Sequence, residues 1–284
     1  MTKIPLMKRE NMAHRIILVP QGGLANRMRA IASGLVLARA VRREMTVIWY
    51  KNSELNAPFD LIFNTENLPF TLLETGGAAY RVCYENPRKK NLYLSKIYSF
   101  LTKSEILQID NEIDFENLKK TISNHNGNFI INSGLQFAEF DHNLFSGIFL
   151  FSEKIEFTKN KILNRETPKV AIQIRRTDNS ESISNSPVEL FEDVVIKICK
   201  DNPEKKIFLA TDDNDIKSYF ARKYPSNIIV NPRKANRNSP EGIVDAAAEF
   251  LTMSQCEVIY GSFWSSFSEM AAVYGDAKLI IVKR

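Results

Sequence analysis

Cysteine is scarce in this chain of 284 residues: Cys83, Cys199 and Cys256 stand alone at long, irregular spacings. Such spacing excludes a disulfide scaffold and a zinc-type ligand framework, and it suits a reducing compartment. Cys199 and Cys256 fall in apolar-patterned segments, where a thiol packs as a small hydrophobe. No run of about 18 apolar residues occurs, so no spanning helix is expected. The first fourteen residues mix basic and apolar side chains without the apolar centre of a secretory signal. A cytoplasmic protein is therefore expected, with peripheral membrane contact left open. Repeats and low-complexity tracts are missing, and so is any block of like charges. The net charge of +5 is mild, and the densest basic cluster, Pro87-Arg88-Lys89-Lys90, reads as a solvated loop. Without a concentrated basic and aromatic stripe, a nucleic-acid partner is disfavoured. What remains, 44% hydrophobic and 25% charged residues, is the composition of a globular enzyme long enough for two domains.

Short apolar runs alternate with helical patterns at both ends of the chain. Residues 15–20 read as a buried strand, Gln21-Gly22-Gly23-Leu24-Ala25-Asn26 as a turn, and a helix then reaches residue 43. A second strand follows at 45–50. From 52 to 165 the pattern is weaker, with a helix over 114–123 capped by Asp114 and a strand over 128–132. Regular alternation resumes with strands at 170–174, 206–210, 227–230, 257–260 and 278–282. Helices at 187–200, 213–223, 241–254 and 265–274 separate them. Strands of four or five apolar residues alternating with helices predict mostly parallel sheets covered on both faces. Two α/β halves are expected, divided by the irregular stretch near 140–167. Ligands in such sheets bind beyond the carboxyl ends of the strands.

Four strand-end loops carry the chemistry. In Gln173-Ile174-Arg175-Arg176-Thr177-Asp178, a strand delivers two guanidiniums and an acid. Arg is always charged and its planar fork matches phosphate oxygens. Two unit charges 4 Å apart repel by about 4 kcal/mol at an effective dielectric near 20, so an acid or an anionic ligand must offset them. In Gly22-Gly23 the missing side chains let backbone approach a ligand ahead of a helix N-terminus. That turn is neither GxGxxG nor a Walker loop, which disfavours a nicotinamide dehydrogenase. Thr211-Asp212-Asp213-Asn214-Asp215 caps the next helix. A metal reading of Asp213 and Asp215 is weaker, because hard cations draw on more oxygens, and Asp212 is read as orienting an Arg or a loop. Gly261 to Ser268 supplies glycine and hydroxyls, with Ser265 and Ser266 placed to hold a phosphate. Jointly the loops favour one pyrophosphate-containing ligand held by Arg and N–H donors.

These segments (Gly22 to Met28, Gln173 to Asp178, Ala210 to Asp213, and Glu249 through Ser266) resemble the successive motifs of the α1,6-, α1,2- and protein O-fucosyltransferase superfamily. The resemblance covers both ends of the chain and leaves about 55–160 unmatched. It implies a GT-B-like α/β fold, with a Rossmann-like acceptor-side domain at 14–160 and a nucleotide-sugar domain at 161–284. It also implies inverting transfer of fucose from GDP-fucose to a glycan hydroxyl, with no metal or cofactor. Carried over by position, Arg175 would bind the β-phosphate and stabilise departing GDP, and Arg176 would support the loop or a second phosphate contact. Gly22, Gly23 and Asn26 would approach the pyrophosphate and sugar, and Ser265 and Ser266 the phosphate oxygens. Glu249, or Asp245 one turn earlier, would pair with guanine. Thr211, Asp212 and Asp213 would line the donor site. Asp178 and Glu181 are the candidate general bases. Gln173 stands where the family often has His, Ala25 where it has Gly, and Trp264 where it has Ser. A catalytically inert relative, or one that takes another GDP-sugar, is the alternative within the family.

Overall fold

A computed structural model describes residues 14–284 apart from 77–79, 81, 178, 179 and 237. The first half runs β1 (Ile16–Pro20), α1 (Leu24–Ala40), β2 (Met45–Tyr50), α2 (Phe59–Ile62), β3 (Thr71–Thr75), α3 (Leu94–Leu101), β4 (Ser104–Ile109), α4 (Phe115–Asn124) and β5 (Asn128–Ser133). Its strands pair in parallel in the order β3-β2-β1-β5-β4. After α5 (His142–Ile148) and α6 (Glu153–Leu163) comes the second half. It comprises β6 (Val170–Ile174), α7 (Ser180–Asn185), α8 (Val188–Asp201), β7 (Ile207–Thr211), α9 (Asn214–Lys223), β8 (Ile228–Val230), α10 (Pro240–Ser254), β9 (Val258–Ser262), α11 (Ser266–Gly275) and β10 (Lys278–Val282). These strands are also all parallel, ordered β10-β9-β6-β7-β8. The architecture is the two-sheet α/β arrangement expected.

The inner strands β2, β6 and β7 are buried along their whole length, which is why their sequences are mostly apolar rather than alternating. Helix starts follow local capping chemistry. Asp114 accepts from the Glu116 and Asn117 amides, Asp213 from those of Asp215 and Ile216, and Ser239 from Gly242, with Pro240 opening α10. The stretch expected to be irregular is more ordered than its pattern. β3 and β4 are edge strands with mixed exposure, so their alternation is diluted, and 140–167 contains two helices. Residue 160 falls inside α6. β9 runs two residues further than expected, through Gly261 and Ser262.

One continuous apolar core joins the two sheets, from Ile16 and Met28 in the first half to Phe208, Phe250 and Ala271 in the second. α1 is buried around most of its circumference because it packs between its own sheet and α11. An aromatic seam crosses the junction. Phe63 lies 5.1 Å from Phe149 and 5.2 Å from Phe151, which reaches Tyr274 at 5.3 Å and Phe250 at 5.9 Å. Phe250 in turn packs on Phe267 at 5.5 Å, and the Tyr274 hydroxyl donates to the Phe149 carbonyl at 2.9 Å. The seam ends at the floor of the cavity described next, which Phe267 lines.

Candidate active site

In the second sheet the chain runs outward in both directions from between β6 and β9; in the first, β1 to β3 run to one edge, and the chain then crosses to β4 at the other edge and returns to β5 beside β1. Loops diverge at such switch points and open a crevice beyond the strand ends. A cavity of about 230 Å³ lies there, walled by the turn after β1, the loops after β6, β7 and β8, and the first turns of α1, α10 and α11.

The loop after β6 is held from both neighbouring strands. The Arg175 amide donates to Ser262 Oγ of β9 at 3.0 Å, and that hydroxyl donates to the Gln173 carbonyl at 3.2 Å. From the end of β7, Asp212 Oδ1 accepts from the Arg176 amide at 2.8 Å. Its Oδ2 accepts from the Thr177 hydroxyl at 2.7 Å and the Thr177 amide at 3.4 Å. The two guanidiniums diverge. Arg175 lines the cavity, whereas Arg176 turns away and donates to the Ile183 and Ser186 carbonyls.

Opposite, Gly22 adopts φ +81°, a left-handed conformation that L side chains rarely take, and a Cβ there would lie 2.7 Å from Asn26 Nδ2. Arg27 braces this turn. It is fully buried and donates from Nε to the Gly22 carbonyl at 2.8 Å, from Nη1 to the Tyr50 carbonyl at 2.6 Å and from Nη2 to Asn52 Oδ1 at 3.0 Å. Its guanidinium also stacks on Trp49 and Tyr50. Burial pulls its pKa down, opposed by the fields of Tyr50 and Glu54. α1 and α11 both begin without a side-chain cap, at Gly23 and Ser265, and their first turns face the same cavity from opposite sheets. Converging helix N-termini with open N–H groups favour an anion.

The third wall is acidic and basic together. Asp245 and Glu249, one turn apart on α10, line the cavity with Asn231, Arg233 and Lys234 from the loop after β8. Arg233 pairs with Asp245. Gly242 lets this loop lie on α10, since a Cβ there would collide with the Asn236 carbonyl. Burial pushes the Glu249 carboxyl up to about 7, although Lys217, with Nζ at 3.9 Å, and a hydrogen bond from Asn231 favour its ionised form. Burial likewise raises Asp245 against the pull of Arg233. Three buried polar atoms around the cavity have no hydrogen-bond partner: Asn26 Oδ1, Gln173 Oε1 and Ser265 Oγ. Buried polar groups are ordinarily satisfied, so this cluster marks where a ligand's donors would sit.

Of the residues singled out in the sequence, the cavity brings together Gly22, Gly23, Asn26, Gln173, Arg175, Thr211, Asp212, Asp245, Glu249 and Ser266. Ser265 is buried at the α11 N-cap behind Ser266. Asp213 is spent on capping α9. Glu181 does not reach the cavity, because the loop runs into α7 and that helix carries the side chain on its solvent face, beside Asn185. Asp178 lies outside the described residues. Arg233, Lys234 and Glu54 line the cavity without having been singled out. The loop after the strand at 227–230 is the fifth strand-end loop, and its Arg-Lys pair was the signal available.

No protein-family model matches the chain, and no curated protein matches its sequence. Solved structures do match in fold. NodZ α-1,6-fucosyltransferase soaked with GDP-fucose superposes with a TM-score of 0.60 at 14% identity, covering 93% of this chain and 93% of that one. A variant of Arabidopsis thaliana FUT1 in complex with GDP gives 0.63 at 14% identity, over 98% of this chain and 72% of that one. POFUT1 in complex with GDP-fucose gives 0.56 at 11% identity, over 96% and 99%. The chain therefore has the two-lobed GT-B fold of these fucosyltransferases, the fold that its motifs implied.

Asp212→Ala leaves three loop donors without their acceptor. It is expected to lower stability by about 1–3 kcal/mol in chemical denaturation and to expose the loop after β6 to limited proteolysis. An unchanged midpoint and cleavage pattern would show that the loop is held without it.

Proposed function

We propose that the chain is an inverting glycosyltransferase that moves fucose from GDP-fucose to a hydroxyl of a glycan. The reading is carried by one observation: Arg175 and two uncapped helix N-termini from opposite lobes face a single cavity whose far wall bears Asp245 and Glu249. The fold shared with fucosyltransferases supports it. In this reading the diphosphate lies between Arg175, the Gly22-Gly23 turn and Ser266. Guanine turns its N1–H and N2–H edge to Glu249, with Asp245 held back by Arg233.

Transfer is a displacement at the anomeric carbon. The acceptor oxygen forms a bond to that carbon as the bond to the β-phosphate oxygen breaks, and GDP departs with the electron pair. Negative charge grows on the bridging oxygen, where a fixed guanidinium stabilises it without reorganising. Arg233 and Lys234 add positive charge at the same cavity, so transfer is expected to persist in the presence of a chelator. The acceptor proton needs a base within hydrogen-bond reach on the side of the sugar opposite the departing phosphate. Among the described residues we assign that role to Glu54. It lines the cavity after β2, held by Asn52 Nδ2 at 3.1 Å, whereas Asp212 is committed to the loop and Asp245 to Arg233.

Arg175→Ala should cut the rate of fucose transfer by about 100- to 1000-fold while the fold persists. An unchanged rate removes Arg175 from the reaction. Glu54→Gln should lower kcat by about 100-fold or more with little change in the KM for GDP-fucose. A pure KM effect would make Glu54 a binding residue only. The pH dependence has a definite sign. An ionised Glu249 accepts from guanine and a protonated one does so poorly, so GDP affinity should rise through about pH 7. Calorimetry should find it about tenfold weaker one unit below that pKa than well above it. Without ligand the folded chain holds this proton more tightly than the unfolded chain, so the same carboxyl makes stability fall as pH rises from the ordinary carboxylate range to about 7. Flat GDP affinity across that window, or tighter binding of UDP than of GDP, would remove the guanine role of Glu249.

A further inference from the structure

α3 is folded inside out. Its small polar residues face the protein: Ser95 is fully buried, and Ser99 and Thr102 are half-buried with their hydroxyls bonded to nearby carbonyls. Tyr98 packs inward on Tyr84, with ring centroids 5.6 Å apart, whereas Phe100 and the aliphatic residues face outward. Phe100 is 83% exposed, Leu101 74% and Ile97 55%. The turn before it continues the pattern, with Leu92 74% exposed and Tyr93 54% exposed. Both turn residues adopt left-handed backbone conformations, φ 50° and 54°, which bulky side chains normally avoid. Asn91 maintains them: its Oδ1 accepts from the Arg88 amide at 2.9 Å and the Tyr93 amide at 3.2 Å, and its Nδ2 donates to the Asn86 carbonyl at 2.8 Å. A strained turn that only pushes apolar side chains into water has no stabilising return within the monomer.

The segment that forms this face is strongly cationic, flanked by Glu85 and the exposed Glu105. Between residues 86 and 104 the chain carries Arg88, Lys89, Lys90, Lys96 and Lys103 and no acid. Glu85, just before, is paired with Arg88, and the four lysines are exposed. We propose that α3 and the preceding turn are a docking site for an anionic lipid bilayer, with Leu92, Ile97, Phe100 and Leu101 entering the headgroup boundary and the lysines meeting lipid phosphates. A short helix with an apolar stripe flanked by cations suits an interfacial position, and Tyr93 suits the wet edge of that layer. A second copy of the chain suits it poorly, because two such faces would bring their cations together. The proposal goes beyond the donor chemistry and does not depend on it. Hydrogen bonds from Asn86 to Gln108 at 2.6 Å and from Gln108 to Gln21 at 2.9 Å tie the patch to the lobe that carries Gly22, the acceptor side of the proposed transferase.

Flotation of the full chain with phosphatidylcholine vesicles, with and without phosphatidylglycerol, tests this. Binding is expected to the anionic vesicles, at least about tenfold above the neutral ones, and to weaken as salt screens the lysines. The double variant Ile97→Asp, Phe100→Asp should lose that binding by about tenfold or more while its unfolding midpoint and GDP affinity stay unchanged. Lys89→Ser with Lys96→Ser should weaken binding to anionic vesicles without altering the apolar stripe. Equal flotation with both vesicle types, or equal flotation of variant and parent, overturns the proposal. So does a parent chain that elutes as a dimer which the double aspartate variant dissociates, since the face would then be a contact between copies. Loss of GDP binding by the parent would leave this proposal standing and sink the donor reading instead.

Discussion

The site rests on one carboxylate. Adjacent guanidiniums at the end of β6 would repel if they shared an environment, by about 4 kcal/mol at 4 Å and an effective dielectric near 20. Asp212, reaching across from β7, grips the amides of Arg176 and Thr177 and the Thr177 hydroxyl, and so fixes the path of the loop. That path sends Arg176 outward onto two carbonyls and leaves Arg175 at the cavity. Arg176 becomes part of the loop's own support, while Arg175 lines the cavity. The parallel pairing of β6 with β7 and β9 puts Asp212 and Ser262 on either side of the loop, so the sheet order itself positions the charge.

A cleft between two lobes works only if its walls keep their spacing. Here the spacing is set by apolar packing: α1 lies against α11, and the aromatic seam from Phe63 to Phe267 ends under the cavity. Buried aromatic side chains leave few alternative packings, and interiors transmit displacement where they are dense. The first-half wall is stiffened separately. Arg27 spends its guanidinium on the Gly22 turn, the end of β2 and Asn52, which connects the glycine turn to the segment bearing Glu54.

Much of the second half was legible in the sequence because its signals are local. The apolar runs of β6 and β7 and the cap at Asp213 each state an element within a few residues. The edge strands β3 and β4 escaped because half-exposed strands do not alternate cleanly. The apolar stripe of α3 has a helical period but marks the outside, so patterning assigns it to the wrong face. At the site, residues at strand ends could be named from their types, whereas direction came only from the family resemblance, which gave Arg175 the ligand and Arg176 the loop. Arg175 and Arg176 are chemically equal neighbours, and Asp212, Ser262 and the carbonyls of Ile183 and Ser186 help to set which one enters the cavity. Arg233 and Lys234 look like solvated loop residues until Gly242 brings their loop onto α10. Glu181 was close to the arginines in sequence and is carried away by α7.

The two proposals divide the molecule by chemistry: a polar, convergent cavity for an anionic nucleotide, and an apolar, cationic face on the first lobe for an anionic surface. The most direct measurement of the central claim is a crystal structure of the chain with GDP. The account predicts the β-phosphate within hydrogen-bond distance of the Arg175 guanidinium and the Gly22-Gly23 amides, with the guanine edge on Glu249. A nucleotide bound away from the junction of β6, β9 and α1, or with its base where the account puts the phosphates, would contradict it.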